Sequence, residues 1–212
     1  MPKGRKDGRT SKASETVKLP APTFTISQLQ QSFSQRGLSL DDLVALSGNL
    51  NKRPSLQLSL HITLTSTESN SAYLPWYICN VGGHTIGFSH CSSFQKRINN
   101  FNATHDADPS INPSFAAKLR GVCPKNGKSK NAGTTMDPSS TTFDNTYYKL
   151  ILEKKGLFSS DQALLSNPKT QNLVKKFATS REAFSKAFVN SMIKMSSLTG
   201  GQEIRKNCRV VN

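Results

Sequence analysis

The stretch Asp42-Leu43-Val44-Ala45-Leu46-Ser47-Gly48, taken up again after an interruption as Gly83-His84-Thr85-Ile86-Gly87-Phe88-Ser89-His90-Cys91, decides how this chain is read. Its first half has helical grammar. Ser39 is a capping residue, Asp41 and Asp42 lie near the positive end of the helix, Leu43 and Leu46 share one face, and Gly48 reads as the stop. Its second half sets a histidine among glycines, and glycines let another body approach the backbone closely. A lone histidine is usually a surface or satisfied core residue. A neutral imidazole in such a setting can also ligate a metal through one nitrogen when an acceptor fixes the other.

The same helical grammar extends outward in both directions. Thr25 and Gln28 form a capping box ahead of Ile26, Leu29 and Phe33, preceded by the loop composition Leu19-Pro20-Ala21-Pro22. Pro113 suits the first turn of a helix carrying Phe115, Leu119 and Val122. Asp144–Lys155 carries Tyr147, Leu150 and Ile151 and closes on Gly156. Asn167-Pro168 opens a helix with Leu173, Val174 and Phe177 inward, and Ser180 caps one striped with Phe184, Phe188, Met192 and Met195. That Phe/Met stripe reads as core. The expected fold class is all-α.

Residues 49–82 follow a different pattern. Leu56, Leu58, Leu60, Ile62 and Leu64 alternate strictly with polar residues, the period of a strand, yet no partner strand lies nearby. We read this segment as an insertion foreign to a domain made of residues 1–48 and 83–212. The clean junction at Gly48/Gly83 suggests a retained intron read through in frame.

Composition bounds the function classes. Apolar residues make up 35% of 212, enough for a core, and no run approaches the ~20 apolar residues of a membrane span. The start of the sequence has basic residues but no apolar core of an export signal. Lys and Arg number 28 against 13 Asp and Glu, so anionic partners are electrostatically possible. Cys79, Cys91, Cys123 and Cys208 contain no CxxC, and their wide spacing is compatible with long-range disulfides in an oxidising compartment. Asn102-Ala103-Thr104 is a glycosylation sequon if the chain enters the secretory route.

With residues 49–82 excised, DLVALSGGHTIGFSHC resembles the proximal haem-ligand motif of class III plant secretory peroxidases. GRKDG (Gly4–Gly8), LPAP (Leu19–Pro22), FDNTYY (Phe143–Tyr148), LFSSDQALL (Leu157–Leu165) and Ile204–Asn212 extend the resemblance over the rest of the chain in family order. It implies a haem-peroxidase-like helical bundle of which this chain is the proximal part, binding haem b and Ca²⁺. It implies His84 as axial iron ligand and Asp161 as acceptor of the other ring N–H, which makes the imidazole a better electron donor. Thr85, Asp137, Ser140, Thr142 and Asp144 resemble the proximal calcium ligands, hard oxygen donors suited to that ion. Pro20 resembles a residue of the reductant channel, and Met136 stands where some relatives place an aromatic beside the imidazole. Cys91 and Cys123 resemble a family disulfide. Cys208 resembles one end of another whose partner would lie upstream of Met1, and Cys79 has no counterpart. The implied partners are hydrogen peroxide and small phenolic reductants, with no nucleic acid and no membrane. The implied form is a monomer, extracellular or vacuolar.

The family's distal histidine and arginine, which move the peroxide proton, have no match here, since no histidine precedes His61. We therefore expect little turnover from this chain alone. Two other classes compete. One is a zinc-binding interaction module using Cys79, His84, His90 and Cys91, whose spacing lacks two separated ligand pairs. The other is a basic nucleic-acid binder resting on the +15 charge, with no recognition motif beside it.

Overall fold

The computed structural model describes residues 6–10, 12, 14, 19–48, 84–125, 131–198, 203–207 and 210. Residues 49–82, with the alternating segment, His61 and Cys79, lie outside the described residues, as does Cys208. The chain runs α1 (Ile26–Ser34), α2 (Leu40–Ser47), β1 (Phe88–His90), a 3-10 turn (Cys91–Ser93), α3 (Gln95–Ile98), α4 (Pro113–Val122), β2 (Gly133–Thr135), α5 (Thr146–Leu152), α6 (Ser159–Ala163), α7 (Pro168–Thr179) and α8 (Arg181–Ser196). It is a mostly helical fold with a single small ribbon among the described residues. There β1 and β2 pair antiparallel, Ser89 opposite Thr134.

Local chemistry sets the helix boundaries. Thr25 and Gln28, and again Ser39 and Asp42, exchange the reciprocal bonds of a capping box, so that orphan N–H groups at both helix starts are satisfied. Asn112 and Asn167 accept from the first-turn amides of α4 and α7, each with proline in that turn. The helix expected over 144–155 is shorter at both ends. Asn145 is its N-cap, with Asp144 one residue earlier accepting from Thr146 N at 2.8 Å, and Lys154, with φ of 59°, turns the chain left-handed and ends it. Gly48 closes α2 but not through a left-handed conformation, its φ being −97°. It is glycine because a Cβ there would lie 2.6 Å from the Tyr148 hydroxyl.

Two cores divide the molecule. The larger joins α1, α2, α5, α7 and α8 around Leu43, Leu46, Tyr148, Ile151, Phe177, Phe184 and Phe188. Its rings meet edge to face, Tyr148 to Phe184 at 5.0 Å and Tyr148 to Phe177 at 5.3 Å, contacts worth about 0.5–1.5 kcal/mol each beyond burial. The smaller joins α3 and α4 around Phe94, Ile98, Ile111, Leu119, Leu157 and Phe158. A disulfide between Cys91 and Cys123 ties the 3-10 turn to the end of α4. Asp7 and Glu203 exchange backbone bonds at 2.6 and 3.2 Å, pinning the two ends of the sequence together.

Candidate active site at His84

His84 stands just beyond α2. Its backbone N–H donates to Ser47 O at 3.1 Å, so the chain that leaves at Gly48 returns to the same point. The ring sits at the seam of the two cores. Phe158 of the smaller core meets it edge-on at 4.8 Å and Tyr147 of the larger at 5.8 Å.

Asp161 reaches His84 from the third residue of α6. Nδ1 of His84 lies 2.5 Å from Asp161 Oδ1. A carboxylate can only accept, so the proton of this bond belongs to Nδ1, and Nε2 is the nitrogen left for a metal. Asp161 is 2% exposed and fully engaged. Tyr147 OH also donates to Oδ1, at 3.1 Å, while Oδ2 accepts from Phe158 N at 2.8 Å and so caps α6. Burial alone would push this carboxyl up. The His84 ring and the Phe158 amide outweigh it, and the group titrates below its ordinary range. Burial, reinforced by the Asp161 charge, pushes the Tyr147 phenol well above its ordinary value.

The turn before α6 is held from below. Arg97, 3% exposed, donates Nε to Asp108 Oδ2 at 2.9 Å and Nη1 to the Gly156 carbonyl. Gly156 has no room for a side chain, since a Cβ would lie 2.9 Å from that of Asp161. On the other side Ser160 N donates to Pro22 O at 3.0 Å, which straps the Pro20–Pro22 loop onto the helix that carries Asp161.

A cavity of about 230 Å³ opens over His84. Pro20, Leu29, Phe33, Leu43 and Phe158 supply its apolar wall, and Asp161 forms part of its floor. A flat apolar macrocycle with a metal at its centre matches this donor set, one oriented imidazole in an otherwise apolar surface.

The oxygen-rich cluster begins at the residue after His84. Thr85 Oγ1 donates to Asp137 Oδ2 at 2.7 Å and lies 3.4 Å from Asp144 Oδ1. Ser139 Oγ reaches both carboxylates, at 3.2 and 3.1 Å. Burial, with the Asp144 charge adding to it, raises the Asp137 carboxyl above its ordinary range, whereas the Thr146 amide and Ser139 hydroxyl bring Asp144 below it despite burial. Ser140 and Thr142, also expected in this cluster, make backbone bonds beside it instead, the Ser140 carbonyl accepting from Gly87 N at 3.0 Å and Thr142 N–H donating to Ser139 O at 2.7 Å.

Thus the structure brings His84 to Asp161, and Thr85 to Asp137 and Asp144, and sets Pro20 at the cavity edge. Met136 packs in the smaller core, and the rings nearest the imidazole are Phe158 and Tyr147. Sequence reasoning missed the Tyr147 hydroxyl, Ser139 and the Arg97–Asp108 brace. Tyr147 sits in the quoted FDNTYY, and Ser139 lies inside the Asp137–Asp144 loop, but neither position signals its contact. The zinc module loses a ligand, because Cys91 is bound in the disulfide with Cys123. Among the described residues no group of three or more His, Cys, Asp or Glu gathers around a metal-sized point. No described helix is long and apolar enough to cross a membrane.

The profile of the family described as Peroxidase matches residues 1–180. The chain is 53% identical to Peroxidase 64 of Arabidopsis thaliana over 212 residues, all of this chain and 56% of that protein. It is 45% identical to Peroxidase 66 of the same plant, covering 99% of this chain and 56% of the relative. It is 39% identical to Peroxidase 5 of Vitis vinifera, covering 100% and 56%. The chain spans about half the length of the curated relatives it matches. With the His84–Asp161 pair, the quoted motifs in order and this identity along the whole sequence, the chain belongs to the peroxidase family.

Proposed function

We propose that this chain is the proximal side of a haem peroxidase that oxidises small phenols with hydrogen peroxide. The observation that carries the reading is the 2.5 Å bond between His84 Nδ1 and Asp161 Oδ1, beneath an apolar cavity. His84 Nε2 would hold the iron of haem b, against the wall of Leu29, Phe33, Leu43 and Phe158. When bound, the haem supplies the redox chemistry of peroxide reduction and one-electron phenol oxidation.

The chain's own residues prepare that site. Asp161, by accepting the Nδ1 proton, draws the ring toward imidazolate and strengthens electron donation through Nε2. Tyr147 and Phe158 fix the ring plane, and the apolar wall keeps water from the ligand face. Pro20 at the cavity edge is where an aromatic reductant would dock. Thr85, Asp137, Ser140, Thr142 and Asp144, with Ser139, would hold Ca²⁺, two carboxylates and several neutral oxygens being a donor set this ion takes. Bound there, the ion would stiffen the backbone immediately after His84.

Residues 1–48 and 83–212 form one domain in this reading, with 49–82 an addition to it. The route is extracellular, in keeping with the Cys91–Cys123 disulfide. Reconstitution with haem tests the proposal. A Soret band from the full chain that is lost in His84→Ala and partly regained on adding free imidazole supports it. A band unaffected by that substitution overturns it.

A further inference from the structure

We propose that a second cavity, adjoining the one over His84, binds a single-ring aromatic carboxylate. It encloses about 160 Å³ between the Leu19-Pro20 segment and the C-terminal ends of α1 and α8. Pro20 and Phe33 line both cavities, but neither His84 nor Asp161 lines this one. The site is therefore independent of whether haem binds at His84.

Size and lining together point to one aromatic ring. An apolar cavity of about 150 Å³ walled by leucine, isoleucine and phenylalanine stays dry and takes benzene. Here Leu19, Phe33, Leu38, Met195 and Leu198 make the wall, and Phe33, Leu38 and Met195 are buried. Phe33 offers a ring-to-ring contact and Met195 a polarisable thioether. Both favour a ring over an alkyl chain of equal volume.

Arg36 sets the charge of the ligand. It is the one charged side chain among the residues lining this cavity. Its Nη1 donates to Ser32 O at 2.5 Å and to Ser32 Oγ at 2.9 Å, which holds the guanidinium against the last turn of α1. A guanidinium held in one plane matches the two oxygens of a carboxylate and repels an ammonium. Beside an apolar wall that attraction is screened less than on open surface. A ring bearing a carboxylate thus satisfies wall and cation together, whereas a neutral ring satisfies the wall alone.

Titration of the haem-free full chain with benzoate tests the proposal, read by the methyl NMR resonance of Met195, which Met195→Leu identifies. That resonance should shift saturably. Benzyl alcohol should bind about tenfold more weakly, the loss of one charge-assisted pair, and benzylammonium should not bind. Arg36→Gln, with helical circular dichroism unchanged, should bring benzoate down to the affinity of benzyl alcohol. Leu198→Phe, which fills the cavity and keeps Arg36, should weaken both ligands alike. A Met195 resonance that does not move, equal affinity for benzoate and benzyl alcohol, or a shift confined to the His84 ring would overturn it.

Discussion

Ser47 and His84 are joined by a backbone hydrogen bond of 3.1 Å although residues 49–82 lie between them in the sequence. The last turn of α2 thus contacts the His84 backbone directly, and we propose that residues 49–82 are not needed to define that contact. Deleting residues 49–82, so that Gly48 joins Gly83, should leave helical circular dichroism unchanged. Closing a much shorter loop should also stabilise the chain by roughly 2 kcal/mol. Thermal and urea unfolding of the deletion variant check this. A deletion variant without a cooperative transition would show that the segment belongs to the domain.

Asp42 links helix start to helix end across the larger core. It accepts from Ser39 N at 2.9 Å, Ser191 Oγ at 2.7 Å and Lys194 Nζ at 3.0 Å, the latter two on α8. Burial would raise its carboxyl, but these donors win and hold it at about 2, against an ordinary 3.8. Because the folded value is depressed, the stabilisation is complete above 3.8 and disappears as pH falls from there through about 2. It amounts to roughly 2 kcal/mol at neutral pH. Asp42→Asn should lose about that much at pH 7, with the two proteins converging near pH 2 in denaturant titrations. A constant gap between them across the acid range would refute this assignment.

Arg97 and Asp108 form a buried pair whose breakage leaves a charge without its partner. Arg97→Ala should cost about 3–5 kcal/mol, and the double replacement Arg97→Met, Asp108→Leu should recover most of it. Equilibrium unfolding of the single and double variants measures the coupling. Equal losses in both would mean that the Gly156 carbonyl, rather than the charge pair, is what Arg97 serves.

Tyr147 and His84 share one oxygen of Asp161. Tyr147→Phe removes the competing donor at a stability cost of about 0.5–1.5 kcal/mol. The carboxylate should then bind the Nδ1 proton more strongly, moving that proton's NMR resonance downfield in the haem-free chain. An unchanged resonance would mean that Tyr147 contributes packing alone.

The oxygen cluster should respond to the ion it is proposed to hold. Added Ca²⁺ should raise the melting temperature of the chain, and Asp137→Asn should abolish the increase. Relief of the repulsion between Asp137 and Asp144 is the physical source of that gain. A rise of equal size with Mg²⁺ or in Asp137→Asn would place the effect elsewhere.

How much was legible depended on the range of the forces involved. Caps, proline starts and apolar stripes are local, so Thr25, Ser39, Pro113, Asn167 and Ser180 mark helix starts correctly from sequence alone. The ends of α5 were not legible, because a left-handed Lys154 carries no signal that glycine or asparagine would. The β1–β2 ribbon was equally hidden, each strand being three residues long and stabilised by a partner far along the chain.

By itself, then, the sequence determined the helical class and the family motifs, and the resemblance those motifs carry implied His84 and Asp161 as a pair. Only the tertiary structure decided what surrounds that pair. Tyr147 and Phe158 come from different cores, Arg97 supports the turn before α6, and the Ser139 hydroxyl reaches both Asp137 and Asp144. Each of these contacts is made across the fold by geometry that no local spacing encodes, since side chains far apart in sequence meet only when two cores close on one ring.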